Sequence, residues 1–350
     1  MKYFYKQSLL FFFYFTLSFI IGYSSLNRYN YEKLLQKDGA LSDIKIYQNT
    51  VEKGFSGLYT EKRVAPRILT PVLSSYVYKF FKNKIGSWNP VFFSLLVINS
   101  FFVSLTCLLM SKFYSSSEII LNRALLPPPG NTSQFLFLTS FCTANIYLSG
   151  LIDSSICYFI FLFIYSFLNQ KYLLAFLSVV LLALSKETSF IDLFLFFFSY
   201  FFYEFFLRKK IIIKEFFYAI FFYIINLVII NFLIFYFLKM NLFQYIFHFL
   251  ATSEDASHIY TFLDLFKFLI YLLPTIFFFF YGIKYFNKKF ISTFIIMIFS
   301  FLFLFFFFIR MPGVATGRYF FNLLGPCFCL ICGCGLNFYC DDYNNFIKKS

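Results

Sequence analysis

The sequence predicts an all-α, polytopic membrane protein, and three observations predict it. Of its 350 residues 60% are hydrophobic and only 13% charged. Apolar runs of about 17 to 25 residues recur along the chain, which is the length a helix needs to cross a hydrocarbon core of roughly 30 Å. Blocks such as 277–280 and 305–308 are continuously aromatic, whereas strands of a transmembrane barrel alternate in polarity over about 10 residues. The 63 Phe carry no functional reading of their own, because any large apolar side chain serves against lipid.

About ten spans follow in order: 8–23, 90–110, 135–149, 154–168, 173–184, 190–207, 216–238, 262–281, 290–309 and 319–339. The first is preceded by Lys2 and Lys6 and reads as an uncleaved signal anchor, since no small-x-small cleavage site follows Tyr23. The third, fourth and fifth are short, so tilting or burial by neighbours is expected of them. The whole of 1–350 reads as one transmembrane domain with one long insertion, the loop 24–89.

Charge sets the expected orientation. With a cytoplasmic N-terminus the inner segments hold Lys112, Arg123, Lys171, Arg208, Lys209, Lys210, Lys214, Lys284, Lys288 and Lys289, and Lys348 and Lys349 follow the last span. The short outer segments hold only Lys186, Lys239, Arg310 and Arg318, with Lys267 near a helix start. This is the positive-inside pattern, with both termini cytoplasmic. The loop 24–89 carries eleven Lys or Arg, but loops of that length translocate largely regardless of charge. The formal charge of +14 is therefore spread over loop anchors rather than a basic soluble face, which argues against a nucleic-acid partner.

The loop 24–89 is the one sizeable segment outside the bilayer. It runs through Asp38-Gly39 and Ser42-Asp43-Ile44-Lys45-Ile46-Tyr47, passes Gly54 and Gly57, and reaches Arg67-Ile68-Leu69-Thr70-Pro71. Beyond Pro71, Val72, Leu73, Tyr76, Val77 and Phe80 recur at helical spacing, which predicts an amphipathic helix in the interface, at the rim of a membrane-level cavity. Cys327, Cys329, Cys332 and Cys334 crowd the last span. One straight helix spreads four such residues around its circumference, so they read as small packing residues rather than a zinc site.

Under this topology the remaining charges collect on the outer side. Asp43 and Arg67 lie in the long loop, Asp153 in the turn that opens the fourth span, Lys186-Glu187 after the fifth, His258 in a later outer loop, and Arg310 and Arg318 around 311–317. Each has an ordinary explanation, a snorkelling cation or a helix-capping Asp. Their coincidence on one face marks a candidate site.

Those residues carry a resemblance. Asp43-x-x-x-Tyr47, Arg67-Ile68-Leu69-x-Pro71, Trp88-x-Pro90 leading to Asn99, Asp153 opening a span, Ala183-Leu184-Ser185-Lys186-Glu187-Thr188 closing the next, and Arg318 near the last span resemble, in order, a bacterial family of polytopic GT-C glycosyltransferases. The family pattern reads Asp-Gly-x-x-Tyr. Here Ile44 stands at the Gly position and Asp38-Gly39 lacks a Tyr at the right spacing, so Asp38 and Asp43 both stand as the loop carboxylate. The resemblance does not extend to the soluble C-terminal domain that some members of that family carry. The resemblance implies a bundle in the bacterial inner membrane, with its site on the periplasmic or extracellular side. It also implies a polyprenyl-phosphate sugar donor and a glycan or lipid acceptor.

The residue chemistry fits that implication. Transfer from a phosphate leaving group needs a carboxylate to take the acceptor's proton and positive charge where phosphate charge builds. Asp43 and Asp153 are the candidate catalytic residues; Tyr47, Arg67, Lys186, Glu187, Arg310 and Arg318 are the candidates for substrate binding. A divalent cation, Mg or Mn, suits oxygen ligands of this kind, although the sequence shows no dedicated cage. A transporter or flippase of a lipid-linked or anionic substrate is the alternative, favoured by broken helices and charges near the midplane. A non-catalytic scaffold is the third, and it predicts that the outer charges are dispensable.

Overall fold

The computed structural model describes residues 2–28, 43–59, 66–86, 88–114, 131–140, 142–148, 150–246, 277–304 and 313–349. They are helical almost throughout: α1 (Lys2–Arg28), α2 (Asp43–Lys53), α3 (Leu69–Phe81), α4 (Pro90–Tyr114), α5 (Thr132–Thr139), α6 (Asp153–Leu168), α7 (Tyr172–Ser185), α8 (Ser189–Phe202), α9 (Ile213–Leu238), α10 (Lys288–Leu304) and α11 (Gly313–Lys349). Among the described residues, five segments are long and apolar enough to cross a membrane: Tyr5–Ser24, Pro90–Phe113, Ser189–Leu207, Ile213–Leu238 and Tyr319–Asn337. α6 and α7 are shorter apolar helices, in line with the short fourth and fifth spans. Most of the expected span 262–281, and the end of 290–309, lie outside the described residues.

The core is built on α6, which is buried over nearly its whole length and packs against α4, α7, α8 and α11. Phe163 and Phe167 meet Phe196, Phe197 and Phe222 edge-on at 5.4–6.5 Å, the geometry that ring quadrupoles favour. Phe113 stacks on Phe161 at 4.3 Å. The periphery shows the inverse of a soluble protein, with Phe217, Val228, Phe232 and Phe235 of α9 about 60% exposed or more. Such a face is satisfied by lipid tails. Buried hydroxyls are neutralised locally: Ser94, Ser104, Thr106, Ser166, Ser178 and Ser199 each donate to the carbonyl four residues back.

The segment expected to cross at 135–149 is a broken helix. α5 ends where Ser140 turns extended, with ψ 148. The Ser140 hydroxyl accepts from the Thr143 N–H at 3.2 Å, and a single π-helical turn, Thr143–Tyr147, resumes the path. α5 lies against α11 at Gly333, where an added Cβ would run into Ser133. Cys327, Cys329, Cys332 and Cys334 are all buried along α11.

The loop 24–89 is structured where it is described. α2 and a 3-10 turn (Gly54–Tyr59) pack on α3, the helix expected beyond Pro71. Its polarity is informative: Thr70, Ser74 and Ser75 are buried, whereas Tyr76 and Phe80 are 60% and 61% exposed. Lys84 lies over the Phe80 ring at 3.8 Å. An aromatic and basic outer face on a polar inner face is what an interfacial helix needs when its core side lines a hydrophilic site.

Candidate functional site

The first residues of α3 reach the ends of α6 and α7. The Ile68 N–H donates to the Leu184 carbonyl at 3.0 Å, and the Thr70 hydroxyl donates to Ser155 at 2.8 Å. Gly150, with φ +96, turns the chain into α6. Asn99 of α4 holds that turn, donating to the Leu151 carbonyl at 2.7 Å and accepting from the Ser154 hydroxyl. Asn99 is therefore a structural latch. Asp153 is the first helical residue of α6, with Ile152 at the cap position.

On this frame, two buried ion pairs form side by side. Arg67 donates from Nε to Glu187 Oε2 at 3.0 Å, from Nη2 to Oε1 at 2.8 Å, and from Nη1 to the Tyr47 hydroxyl at 3.0 Å. Tyr245, beyond α9, donates to Glu187 Oε1 at 2.9 Å. The fork-on-carboxylate geometry and its burial, 14% exposure for Arg67 and 1% for Glu187, make it a fixed clamp between α2, α3 and the α7–α8 turn. Burial by itself raises the Glu187 pKa, but the Arg67 charge and its hydrogen bonds outweigh burial and hold it down at about 2. Burial likewise lowers Arg67, and Glu187 and Tyr47 more than reverse this, leaving it well above its ordinary value.

The second pair is looser. Lys186 Nζ lies 3.8 Å from Asp153 Oδ1 and 4.2 Å from the centre of the Tyr319 ring. Asn322 of α11 donates to the same Asp153 oxygen at 2.8 Å, while its own Oδ1 is buried with no hydrogen-bond partner among the described residues. A contact of 3.8 Å is Coulombic rather than a hydrogen bond, so the ammonium is held near the carboxylate with room to turn its protons elsewhere. Asp192, in the first turn of α8 and 8% exposed, is within electrostatic reach of both Lys186 and Asp153. Three carboxylates and two cations from four segments, the stretch just before α3, the start of α6, the α7–α8 turn and the first turn of α8, thus share one end of the bundle.

Of the residues singled out in the sequence, Tyr47, Arg67, Asp153, Lys186 and Glu187 come together here. Asp43 is the first residue of α2, one turn before Tyr47, and Arg318 directly precedes Tyr319 in α11; their side chains lie outside what the structure describes, as do Asp38, His258 and Arg310 altogether. Sequence reasoning missed Asp192, Tyr245, Tyr319 and Asn322. Asp192 had a signal, an acid one turn inside an apolar span; the other three are ordinary interfacial or span residues until packing brings them to the charges. Among the described residues no group of three or more His, Cys, Asp or Glu is placed to hold a metal ion.

No protein-family model, curated protein or solved structure matches this chain.

Proposed function

We propose that this protein is an integral membrane glycosyltransferase of the GT-C type, moving a sugar from a polyprenyl-phosphate donor to a glycan or lipid acceptor of the cell envelope. The observation that supports the reading is the buried charge assembly at one end of an apolar bundle. Ionised groups in such a setting are costly to keep unless they serve a site. In the proposed reaction the acceptor hydroxyl oxygen bonds to the anomeric carbon as the bond from that carbon to the phosphate oxygen breaks. The phosphate leaves with the electron pair, and the hydroxyl proton passes to a carboxylate.

Asp153 or Asp43 takes that proton. Asn322 orients Asp153, and its open Oδ1 accepts from a sugar hydroxyl. Lys186 lies beside Asp153 as a compact charge for the departing phosphate, and Arg318, the residue before the Tyr319 that Lys186 lies over, is the second cation assigned to it. Arg67 and Glu187 act as positioning residues, since their hydrogen-bonding groups are engaged with each other and with two tyrosines. The polyprenyl-phosphate donor and the outer-face location belong to this proposal.

The test is a comparison of lipid-linked sugars in membranes carrying the wild type, Asp153→Asn or neither. Consumption of a polyprenyl-phosphate sugar by the wild type, reduced about 10² to 10⁴-fold in Asp153→Asn, supports the reading; identical pools in all three sink it. A transporter or flippase is favoured by one observation, the broken 131–148 pass. Movement of intact lipid-linked sugar across reconstituted vesicles, with no sugar transferred, would establish that reading instead.

A further inference from the structure

Between α8, with the π-helical turn that continues it (Tyr203–Leu207), and α9 lies an open groove of about 370 Å³. Phe194, Phe198, Phe202, Phe205, Phe216 and Ile220 are among its walls. From Phe194 to Phe206 it follows twelve residues of helix, about 18 Å at 1.5 Å per residue, enough for one leaflet of a core roughly 30 Å thick.

The groove ends at the turn joining the two helices, and that turn is basic. Residues 203–215 carry Arg208, Lys209, Lys210 and Lys214 against Glu204 and Glu215. Glu204 is fully buried and is itself held by Lys289 at 2.9 Å and Arg208 at 3.5 Å, so its charge is matched inside the protein. Lys209, Lys210 and Lys214 are exposed. Lys209 sits at φ +52, a left-handed conformation uncommon for a non-glycine residue. Here the Lys210 N–H closes the turn on the Glu204 carbonyl at 2.8 Å. Ile211 and Ile213, 77% and 62% exposed, flank the lysines with apolar side chains at the same level.

We infer that this groove is a binding site for an anionic phospholipid, with an acyl chain between α8 and α9 and the headgroup phosphate on Lys209, Lys210 and Lys214. Charge complementarity selects this occupant over a zwitterionic lipid: basic clusters at the end of a transmembrane hairpin attract anionic headgroups, and walls that are apolar but for Tyr223 offer little to a polar ligand. The groove begins at Phe194, near Asp192, but its basic headgroup end lies at the opposite end of α8, so the phosphate contact stands apart from the proposed transfer chemistry.

The test uses the full-length protein in nanodiscs, with Trp88→Phe removing the single native tryptophan and Phe202→Trp placing a reporter in the groove. Brominated phosphatidylglycerol is expected to quench the reporter at about tenfold lower mole fraction than brominated phosphatidylcholine. Lys209→Ala, Lys210→Ala and Lys214→Ala together should erase that difference while leaving quenching by phosphatidylcholine in place, which also shows that the variant is folded. Lys79→Ala, Lys82→Ala and Lys84→Ala together, at the interfacial helix, should preserve it. Equal quenching by the two lipids in the unaltered turn would overturn the proposal. So would a preference that survives loss of the three lysines, or no quenching by either lipid because another part of the chain fills the groove.

Discussion

Glu187→Gln removes one charge from the clamp and leaves its partner buried. The carboxylate receives two N–H groups of Arg67 and the Tyr245 hydroxyl; a carboxamide offers one acceptor oxygen and turns an N–H₂ toward a guanidinium that only donates. Truncating one member of a buried pair costs about 3–5 kcal/mol. The depressed pKa gives an independent route, since the fall from 4.5 to about 2 corresponds to roughly 3 kcal/mol of preference for the ionised form in the folded state. Because the folded value lies below the unfolded one, this stabilisation is fully present above about pH 4.5 and is lost as pH falls through 2. The assay is reversible unfolding in mixed detergent micelles, read by circular dichroism at pH 7 and pH 3. Glu187→Gln is expected to lose about 3 kcal/mol at pH 7 and less at pH 3, where part of the wild-type advantage has gone. Arg67→Met combined with Glu187→Leu should recover most of the loss, because a well-packed apolar pair replaces a buried ionic one at little cost. A Glu187→Gln variant within about 0.5 kcal/mol of wild type at pH 7 would refute the clamp, and an additive double variant would show that the two residues do not act as a unit.

Asn322→Ala deprives Asp153 of a charge-assisted donor and should destabilise the protein by about 1.5–3 kcal/mol in the same unfolding assay; no change would mean that Asp153 is satisfied without α11. Where Asp43 rather than Asp153 takes the acceptor's proton, Asp43→Asn lowers turnover of a lipid-linked sugar about 10² to 10⁴-fold with expression intact; normal turnover in Asp43→Asn and Asp38→Asn alike assigns the proton to Asp153. If Asp38→Asn shows that loss instead, the loop base belongs to the Asp-Gly dipeptide. For topology, Ser56→Cys and Asn241→Cys at one end of the bundle should react with an impermeant thiol reagent in intact cells. Lys171→Cys and Lys209→Cys at the other end should react only after lysis, and the reverse pattern would move the charge assembly to the cytoplasmic side.

The class of the protein and the position of most helices were legible in the sequence because lipid imposes a one-dimensional rule: a run of apolar residues long enough to span must be helical, since no water is present to satisfy its backbone. The helix Leu69–Phe81 was legible for a related reason, as Pro71 lies in its first turn and Tyr76 and Phe80 mark its exposed stripe. Much of the charge assembly was also visible as residues, because Asp153, Lys186 and Glu187 interrupt apolar runs where charge is expensive. Their partners were not visible. Arg67 meets Glu187 across 120 positions and Asn322 meets Asp153 across 169, and no local pattern encodes which interfacial arginine or span asparagine will face which carboxylate. That choice is made by packing: α3 is drawn into the gap between α6 and α7 by the Ile68 and Thr70 hydrogen bonds, and α11 approaches through Gly333. The break after Ser140 was likewise not legible in the sequence: the Ser140 hydroxyl accepts from the Thr143 N–H and α5 lies against α11 at Gly333, whereas an isolated apolar segment would keep its backbone groups inside one continuous helix.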